Sequence, residues 1–209
     1  MIAIVDYQGG NLASVLRALD HLGHEATITA DPDVIRRADR VIVPGVGAAR
    51  ATMRNLRAAG LDAVLRDEVY ARGVPLLGIC IGVQIIFDHS DEEDTDCLGL
   101  LPGRVVRFPT EVNGARLKVP QIGWNQVHFR TPHPIFAGVP DGSSFYFVNS
   151  YHPVPATNEV IYATTEYGVE FASVVGRNNL VATQFHLEKS GEPGLKMLDN
   201  FCRWNGTLA

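Results

Sequence analysis

Short apolar runs alternate, over the first 90 residues, with stretches in which apolar side chains recur at helical spacing. One such stripe predicts a helix over about residues 11–22, and a longer helix is expected within residues 51–72. Four runs have the length of buried strands: IAIVD (2–6), EATIT (25–29), RVIVP (40–44) and VPLLGI (74–79). Because strands and helices alternate, the pattern predicts an α/β fold with a doubly wound, mostly parallel central sheet.

From Leu98 onward the chain changes to runs rich in Val, Phe and Tyr, separated by Pro and Gly turns. Six runs show this pattern: RVVRF (104–108), NQVHF (125–129), SFYFV (144–148), EVIYATTEY (159–167), FASVVG (171–176) and LVATQFH (180–186). Closely spaced turn signals predict an antiparallel region. Because no Gly/Ser-rich linker interrupts the sequence, we expect residues 1–209 to form a single domain whose antiparallel half extends the same sheet.

Composition and charge exclude several classes of function. The chain is 46% hydrophobic and 20% charged, as is typical of a globular protein. A net charge of -5, without a Lys/Arg cluster, argues against a nucleic-acid partner. The opening MIAIVDYQGG has the pattern of a strand rather than a signal peptide, and no apolar run approaches the roughly 20 residues that span a bilayer. We therefore expect a cytoplasmic location and no membrane partner.

The spacing of the cysteines and one acidic stretch argue against a disulfide framework and a metal site. Cys80, Cys97 and Cys202 are too widely spaced for a disulfide framework or a zinc ribbon, and Cys202 follows helical spacing that predicts a core thiol. The acidic stretch DHSDEEDTD (88–96) lacks the spacing of a calcium loop, so we expect a solvated loop and no metal site.

The turn GICIGVQ (78–84) has the form of a nucleophile elbow in which cysteine replaces serine. Gly78 and Gly82 remove side chains that would clash where a strand turns sharply into a helix. Cys80 would then lie at a helix N-terminus, whose partial positive charge favours the thiolate. Taken alone, the pattern is equally compatible with packing residues at the end of a buried strand.

A thiolate nucleophile requires a general base, and His186 is the best-placed candidate. It ends the last apolar run, and Glu188 follows two positions later. In an extended chain these two side chains point the same way, so the carboxylate can orient the imidazole. Cys80, His186 and Glu188 thus fill the three roles of a triad. Surface or capping roles are expected for the other histidines considered: His21, His24, His89, His128 and His133.

Acyl transfer also requires donors for a developing oxyanion. The turn PGVGA (44–48) offers the N–H groups of Val46 and Gly47, and the N–H of Ile81 follows the nucleophile. A phosphate cradle is the competing interpretation of these glycines, but no turn has the spacing of a P-loop or a dinucleotide fingerprint.

Together, PGVGA, GICIGVQ and QFHLEKSG (184–191) resemble the class I glutamine amidotransferases, a triad family with a flavodoxin-like fold. Three further stretches are similar to the glutaminase subunits of imidazole glycerol phosphate synthases: DYQGGNLASV (6–15), VPQIGWN (119–125) and YFVNSYHP (146–153). The resemblance spans nearly the whole chain. It implies that glutamine is hydrolysed through a thioester on Cys80, without a cofactor, and that His186 protonates the departing ammonia.

The same resemblance assigns further roles by matching positions. It implies that glutamine is held by Gly47, Gln84, Ser150 and Tyr151. It also implies a heterodimer with a (β/α)8-barrel cyclase, which uses the ammonia to make imidazole glycerol phosphate and an aminoimidazole carboxamide ribotide. Positions at or near that interface are Asn11, Trp124, Tyr146 and Lys189.

Three positions depart from the family pattern. Leu187 stands where proline usually follows the histidine, Asn149 replaces a more usual histidine, and Gln8 replaces a small residue. No reacting group is lost.

Other interpretations of the residues stay open. The chain could serve an anthranilate, aminodeoxychorismate or pyridoxal phosphate synthase through the same chemistry. A γ-glutamyl hydrolase or a cysteine peptidase would also use an elbow cysteine and a histidine. A non-catalytic binding module is a third alternative, against which the presence of all three triad side chains argues.

Overall fold

The structure is a computed structural model that describes residues 1–207, and an eight-stranded sheet forms its centre. Four strands begin the parallel part of this sheet: β1 (Ile2–Val5), β2 (Ala26–Thr29), β3 (Arg40–Val43) and β4 (Leu76–Ile79). They lie side by side in the order β4-β3-β1-β2. The chain therefore passes from β1 to β2 on one side and then returns to β3 on the other side of β1. A crevice at the carboxyl ends of the strands is expected beside such a reversal.

Helices cover both faces of the sheet, as predicted. The α-helices are α1 (Leu12–His21), α2 (Pro32–Arg36), α3 (Ala49–Ala58), α4 (Leu61–Ala63), α5 (Ile81–Gln84) and α6 (Gly191–Arg203). In β1, Ile2 and Ile4 join an apolar cluster with α1 and α6, whereas Ala3 and Val5 join a second cluster with α3. Because alternate residues of a strand face opposite sides, this division places the clusters on opposite faces.

The helix expected within residues 51–72 is interrupted. Its first part, α3, ends at Ala58, and Gly60 then adopts a left-handed φ of 67°. The chain continues through α4 into a π-helical segment, Val64–Tyr70. Glycine adopts the left-handed conformation at little cost, so it breaks the helix, a feature that apolar periodicity does not reveal.

The short helix α2 is absent from the sequence-based expectations, although the chain carries a start signal for it. Asp31 caps the helix by accepting a 2.8 Å hydrogen bond from the backbone N–H of Asp33, and Pro32 is its first residue. An Asp-Pro pair at this position is typical of a helix N-terminus.

The second half of the chain adds short strands to the sheet and around it. They are β5 (His89–Ser90), β6 (Thr95–Asp96), β7 (Gly103–Arg107), β8 (Glu111–Val112), β9 (Ala115–Arg116), β10 (Gln121–Gln126), β11 (His128–Phe129), β12 (Ser144–Asn149), β13 (Tyr151–Pro155), β14 (Ile161–Tyr167), β15 (Val169–Arg177) and β16 (Leu180–Thr183). β16 lies parallel to β4, and β15, β14 and β11 continue the sheet in antiparallel order.

The expectation that the antiparallel half extends the central sheet is wrong for several of its strands. β13, β7, β5 and β6 form a separate sheet, β10 pairs with β12, and β8 pairs with β9. A run of alternating residues defines the faces of a strand but not its partner, so periodicity alone does not separate the sheets. None of the helices found between residues 1 and 207 has the length and hydropathy of a membrane-spanning segment.

Two glycines allow β3, β4 and α5 to meet closely. A Cβ at Gly82 would lie 2.1 Å from the carbonyl oxygen of Val43, and one at Gly78 would lie 2.8 Å from the backbone of Gly82. Both distances are too short for any side chain, so the glycines fix how closely α5 approaches the sheet.

The substitution Gly82→Ala is expected to lower the free energy of unfolding by about 2–3 kcal/mol, because the added methyl group overlaps a backbone oxygen of β3. Urea unfolding followed by circular dichroism measures the change. Ala51→Ser, at an exposed position of α3, is the control and should cost about 0.5 kcal/mol. Equal stability of the two variants would contradict this view of the turn.

Candidate active site

Cys80 lies at a strained turn between β4 and α5. Its φ of 56° and ψ of -104° are rare for any residue other than glycine. Its N–H donates to the carbonyl of Thr183 in β16 at 2.8 Å, and its carbonyl accepts from Val83 at 3.0 Å. The side chain is 6% exposed and lines a cavity. The sharp strand-to-helix turn expected from the sequence is therefore present, with Cys80 at its tip.

The helix that follows Cys80 is too short for its dipole to stabilise a thiolate strongly. α5 contains only the four residues Ile81–Gln84, and a single turn provides little aligned dipole. The groups that govern proton transfer at the thiol must therefore be mainly side chains. His186 is the candidate for this role, because its side chain lies beside that of Cys80.

His186 and Glu188 form a buried pair whose side chains have no exposed surface. The Nδ1 atom of His186 lies 2.7 Å from Oε1 of Glu188. His186 and Glu188 thus pair as predicted, but the pairing does not arise from an extended strand. Leu187–Lys189 instead form a turn of 3-10 helix, which brings the two side chains together. Asn11 Nδ2 donates to the same carboxylate oxygen and lies 3.5 Å from Nδ1 of His186.

The surroundings of His186 favour its protonated form. Burial acts to lower its pKa, but hydrogen bonding and negative charge at Cys80 and Glu188 outweigh burial and raise the pKa to about 9. Nδ1 is engaged by Glu188, so Nε2 is the nitrogen available to the thiol. Within residues 1–207, Nε2 has no hydrogen-bond partner in regular geometry. The thiol and the imidazole are thus neighbours, and a proton passes between them when Nε2 faces the sulfur.

A cavity of about 270 Å³ opens beside Cys80. It is lined by all four residues expected to hold the substrate and by all three expected oxyanion positions: Val46, Gly47, Ile81, Gln84, Ser150 and Tyr151. The Gln84 side chain donates to the carbonyl of Tyr151 at 3.1 Å and to the side chain of Gln184 at 3.2 Å. These bonds join α5 to the strands across the cavity. Its size suits a small molecule such as one amino acid.

Two residues at this site are absent from the sequence-based expectations. Gln184 is fully buried, and its amide nitrogen lies 3.9 Å from the sulfur of Cys80. Glu92 lines the cavity and is partly buried, which corrects the expectation that residues 88–96 form only a solvated loop. No sequence signal distinguishes Glu92 from its acidic neighbours, because only the tertiary fold turns its side chain inward.

Glu92 is the one charged residue lining the cavity among the described residues. Its Oε2 accepts a 2.8 Å hydrogen bond from the backbone N–H of Ala49, the first residue of α3. Partial burial raises the pKa of this carboxyl group, the Ala49 N–H acts against that rise, and the charge of Glu93 adds to it.

The predicted oxyanion turn, residues 44–48, has a backbone that only glycine adopts readily. Gly45 and Gly47 have φ values of 155° and 125°. Tyr7 Oη donates to the carbonyl of Pro44 at 2.8 Å, and a Cβ at Gly45 would lie 1.7 Å from that hydroxyl. The turn is therefore fixed at its start, whereas the Val46 side chain that follows is 41% exposed. The N–H of Ile81, at the start of α5, has no partner within the helix.

The positions expected at a subunit interface lie next to the His186 segment. Trp124 is 59% exposed and contacts Tyr146 edge to face, with ring centres 6.1 Å apart. The carbonyl of Tyr146 accepts from the N–H of His186 at 3.0 Å, and Lys189 is exposed on the following turn. Asn11 is distinct, because its amide reaches the buried carboxylate of Glu188.

The departures from the family pattern leave this geometry intact. Leu187 is fully buried, and the carbonyl of His186 accepts from Ser190 Oγ at 2.5 Å and from Lys189 at 3.2 Å, so the backbone is fixed without proline. Asn149 lines the cavity and donates to the carbonyl of Tyr151 at 3.0 Å. Gln8 is exposed, with a left-handed φ of 64°.

Fold and site together define a class of protein: α/β proteins that carry a cysteine on a strained strand-to-helix turn and a buried His–Glu pair in the segment that follows a neighbouring strand. The model of the family "Glutamine amidotransferase class-I" matches residues 3–204. Among curated proteins, imidazole glycerol phosphate synthase subunit HisH of Dehalococcoides mccartyi is 53% identical over 202 residues, covering 96% of each chain. The protein of the same name from Thiobacillus denitrificans is 49% identical, covering 98% of this chain and 91% of its own.

The chain therefore belongs to the class-I glutamine amidotransferase family and, within it, to the group of HisH subunits. Solved structures agree in fold. A glutamine amidotransferase crystal structure matches with a TM-score of 0.70 at 21% identity, covering 97% of this chain and 100% of the other. A glutamine amidotransferase from Thermotoga maritima matches with a TM-score of 0.64 at 15% identity, covering 97% of this chain and 82% of the other. The family and the fold class expected from the sequence are both confirmed.

Glutaminase turnover is expected to fall at alkaline pH with an apparent pKa near 9, because the imidazolium that protonates the departing nitrogen is lost as His186 deprotonates. Glu188→Gln removes one of the groups that raise this pKa, so the fall should move to lower pH. Glu192→Gln, an exposed substitution in the first turn of α6, is the matched control. A pH profile of kcat for all three proteins makes the measurement, and an unshifted alkaline limb in Glu188→Gln would contradict the assignment.

Proposed function

We propose that this protein hydrolyses glutamine to glutamate and ammonia at Cys80, and that the ammonia serves a cyclase in histidine biosynthesis. The single observation that carries the proposal is the meeting of Cys80 and the buried His186–Glu188 pair at a cavity lined by Gln84 and Glu92. HisH relatives at about half identity over nearly the full chain support the same function. As a biosynthetic enzyme, the protein is assigned to the cytoplasm within this proposal.

Glutamine recognition follows from the lining of the cavity. The free amino acid carries an ammonium group, and Glu92 is the one carboxylate among the described lining residues. Oε2 of Glu92 is engaged by Ala49, so Oε1 is free to accept from the ammonium. Gln84, Ser150 and Tyr151 line the remainder and hold the chain of the substrate between Glu92 and the sulfur.

Before the chemical step, the proton that Cys80 and His186 hold between them lies on Nε2 of His186, and Cys80 Sγ then attacks the side-chain amide carbon of glutamine. The amide oxygen becomes an oxyanion, which the N–H groups of Ile81 and of the Val46–Gly47 turn stabilise. His186 then protonates the amide nitrogen, and the carbon–nitrogen bond breaks. Ammonia departs, and the γ-glutamyl group remains on Cys80 Sγ as a thioester. Glu188 stabilises the imidazolium between these steps.

Water completes the cycle. His186, neutral after giving its proton to ammonia, accepts a proton from a water molecule that attacks the thioester carbon. Collapse of the second tetrahedral intermediate breaks the carbon–sulfur bond and releases glutamate. The proton taken from water stays on His186 beside Cys80 Sγ, which restores the starting state.

A cyclase partner is proposed from the surface beside the site. Trp124 and Ile122 are 59% and 56% exposed and lie two residues apart in β10, so they share one face of the β10–β12 ladder. Exposed apolar groups grouped in this way are typical of a protein–protein interface. We propose that a (β/α)8-barrel cyclase covers this surface, together with Asn11, Tyr146 and Lys189, and receives the ammonia out of contact with solvent.

The position of Val46 also indicates how the partner controls the reaction within this proposal. The turn is anchored by Tyr7 at Pro44, and the half-exposed Val46 lies between two glycines. A partner that contacts Val46 while its acceptor is bound would favour the orientation in which the backbone N–H groups face the oxyanion. Glutamine turnover would then be low in the free chain and would rise in the loaded complex.

Glutaminase subunits of other synthases would use the same chemistry, so the partner distinguishes them. Mixing the protein with a histidine-pathway cyclase and its ribonucleotide substrate should raise glutamine hydrolysis well above the rate of the free chain. A chorismate-dependent partner should leave the rate unchanged. Hydrolysis of γ-glutamyl peptides without any partner would favour a peptidase or a γ-glutamyl hydrolase instead.

Cys80→Ala is expected to abolish glutamine-dependent product formation by the complex while leaving ammonia-dependent synthesis intact, because the cyclase site is untouched. The measurement compares product formation from glutamine with that from ammonium chloride. Cys97→Ala, which removes a thiol outside the cavity, is the control and should retain both activities. Loss of both activities in Cys80→Ala would indicate a structural role for this residue.

A further inference from the structure

The strands β5 and β6 with their connecting turn, residues 89–96, form an acidic hairpin that carries Glu92 into the cavity. Glu92 lies in the turn between the paired residues Ser90 and Thr95, so its location depends on how the turn is held. Internal bonds fix part of it: Glu92 N–H donates to Ser90 Oγ at 3.2 Å, and Thr95 Oγ1 donates to the carbonyl of Glu92 at 2.8 Å.

Two arginines of α3 bind this hairpin. Arg50 Nη2 donates to the carbonyl of Glu93, and its Nε lies 3.4 Å from the Glu93 carboxylate. Arg57 Nη2 donates to the carbonyl of Asp96 at 2.8 Å. Arg50 and Arg57 lie two helical turns apart on one side of α3, so they hold the hairpin at its turn and at its far strand. Glu92 itself accepts from the backbone N–H of Ala49, at the start of the same helix.

The hairpin turn needs such support because its backbone is strained. Glu93 and Asp94 have left-handed φ values of 56° and 50°, although neither is glycine. A tight hairpin turn with two left-handed residues usually contains asparagine or glycine there. Without external contacts, the turn would be free to adopt other conformations, and Glu92 would then be distributed over several positions.

We propose that Arg50 and Arg57 are positioning residues for substrate recognition, which hold the acidic hairpin on α3 so that the Glu92 carboxylate meets the ammonium group of glutamine. The inference rests on the proposed glutaminase function. Neither arginine lines the cavity or contacts the sulfur, so both act through Glu92. They set the affinity for substrates that carry an α-ammonium group and leave the bond-breaking step unaffected.

The test is the double variant Arg50→Gln, Arg57→Gln, measured as the complex with the cyclase and its ligand. The matched control is Arg54→Gln, which removes an exposed arginine from the same helix; within residues 1–207, Arg54 has no side-chain hydrogen bond or ion pair. Each exposed contact contributes modestly, so the KM for glutamine should rise about 3- to 10-fold with kcat within about twofold. The double Lys variant retains a donor at each position and should recover part of the lost affinity.

A second substrate separates positioning from a general structural defect. Glutaramate has the amide and the carbon chain of glutamine but lacks the α-ammonium group, so its kcat/KM should be equal in the double variant and the wild type. The preference for glutamine over glutaramate should therefore fall by the same factor as the rise in KM. Glu92→Gln should reduce this preference further.

Equal KM values in the double variant and in Arg54→Gln, with an active wild type, would overturn the role of the two arginines alone. A fall in kcat for both substrates would also overturn it, because that pattern indicates damage to the reacting groups. A wild-type complex without glutaminase activity would instead overturn the proposed function and, with it, this inference.

Discussion

The site depends on one backbone constraint, the strained positive-φ conformation of Cys80 between β4 and α5. A residue other than glycine in such a conformation costs about 1–3 kcal/mol, and the surrounding contacts must offset that cost. Two features hold the turn: the bond from Cys80 N–H to Thr183, and the close contact of Gly82 with Val43. Because these contacts join α5 to β3 and β16, the strain is distributed over the centre of the sheet.

The order of the strands explains why residues far apart in sequence meet beside this turn. β16 lies beside β4, so the chain that leaves β16 reaches the cysteine turn, and His186 is the third residue after that strand. Glu188 and Asn11 then fix the orientation of the imidazole. Buried charges require such partners, and each member of the group satisfies another. The parallel neighbours β3 and β4 similarly bring the oxyanion turn and the nucleophile to the same edge.

Much of this arrangement is predictable from local patterns. Gly-x-Cys-x-Gly after an apolar run indicates the strained turn, and an apolar run that ends in His-x-Glu indicates the pair that serves it. The alternation of strands and helices in the first half is equally predictable, because apolar residues recur at different spacings in buried strands and in amphipathic helices. These features depend on residues close together in sequence, and for that reason the central sheet and the Cys–His–Glu set are accessible without coordinates.

Other features depend on contacts that no local pattern records. Glu92 has the same chemistry as its exposed neighbours, and only the packing of the hairpin on α3 turns it toward the cavity. Gln184 resembles any strand-end glutamine until β16 is paired with β4. The separation of the smaller sheets from the central one is likewise set by pairing rather than by periodicity.

The reactivity of this site depends on the chemical coupling of Cys80 to His186, and the rate of thiol alkylation tests that coupling most directly. Iodoacetamide labelling at pH 7, read peptide by peptide by mass spectrometry, should modify Cys80 first. Burial raises the pKa of the thiols of Cys97 and Cys202 to about 12, so both serve as slow internal references. We predict that His186→Asn slows labelling of Cys80 at least about tenfold and leaves the references unchanged. An unchanged rate at Cys80 in that variant would contradict the account.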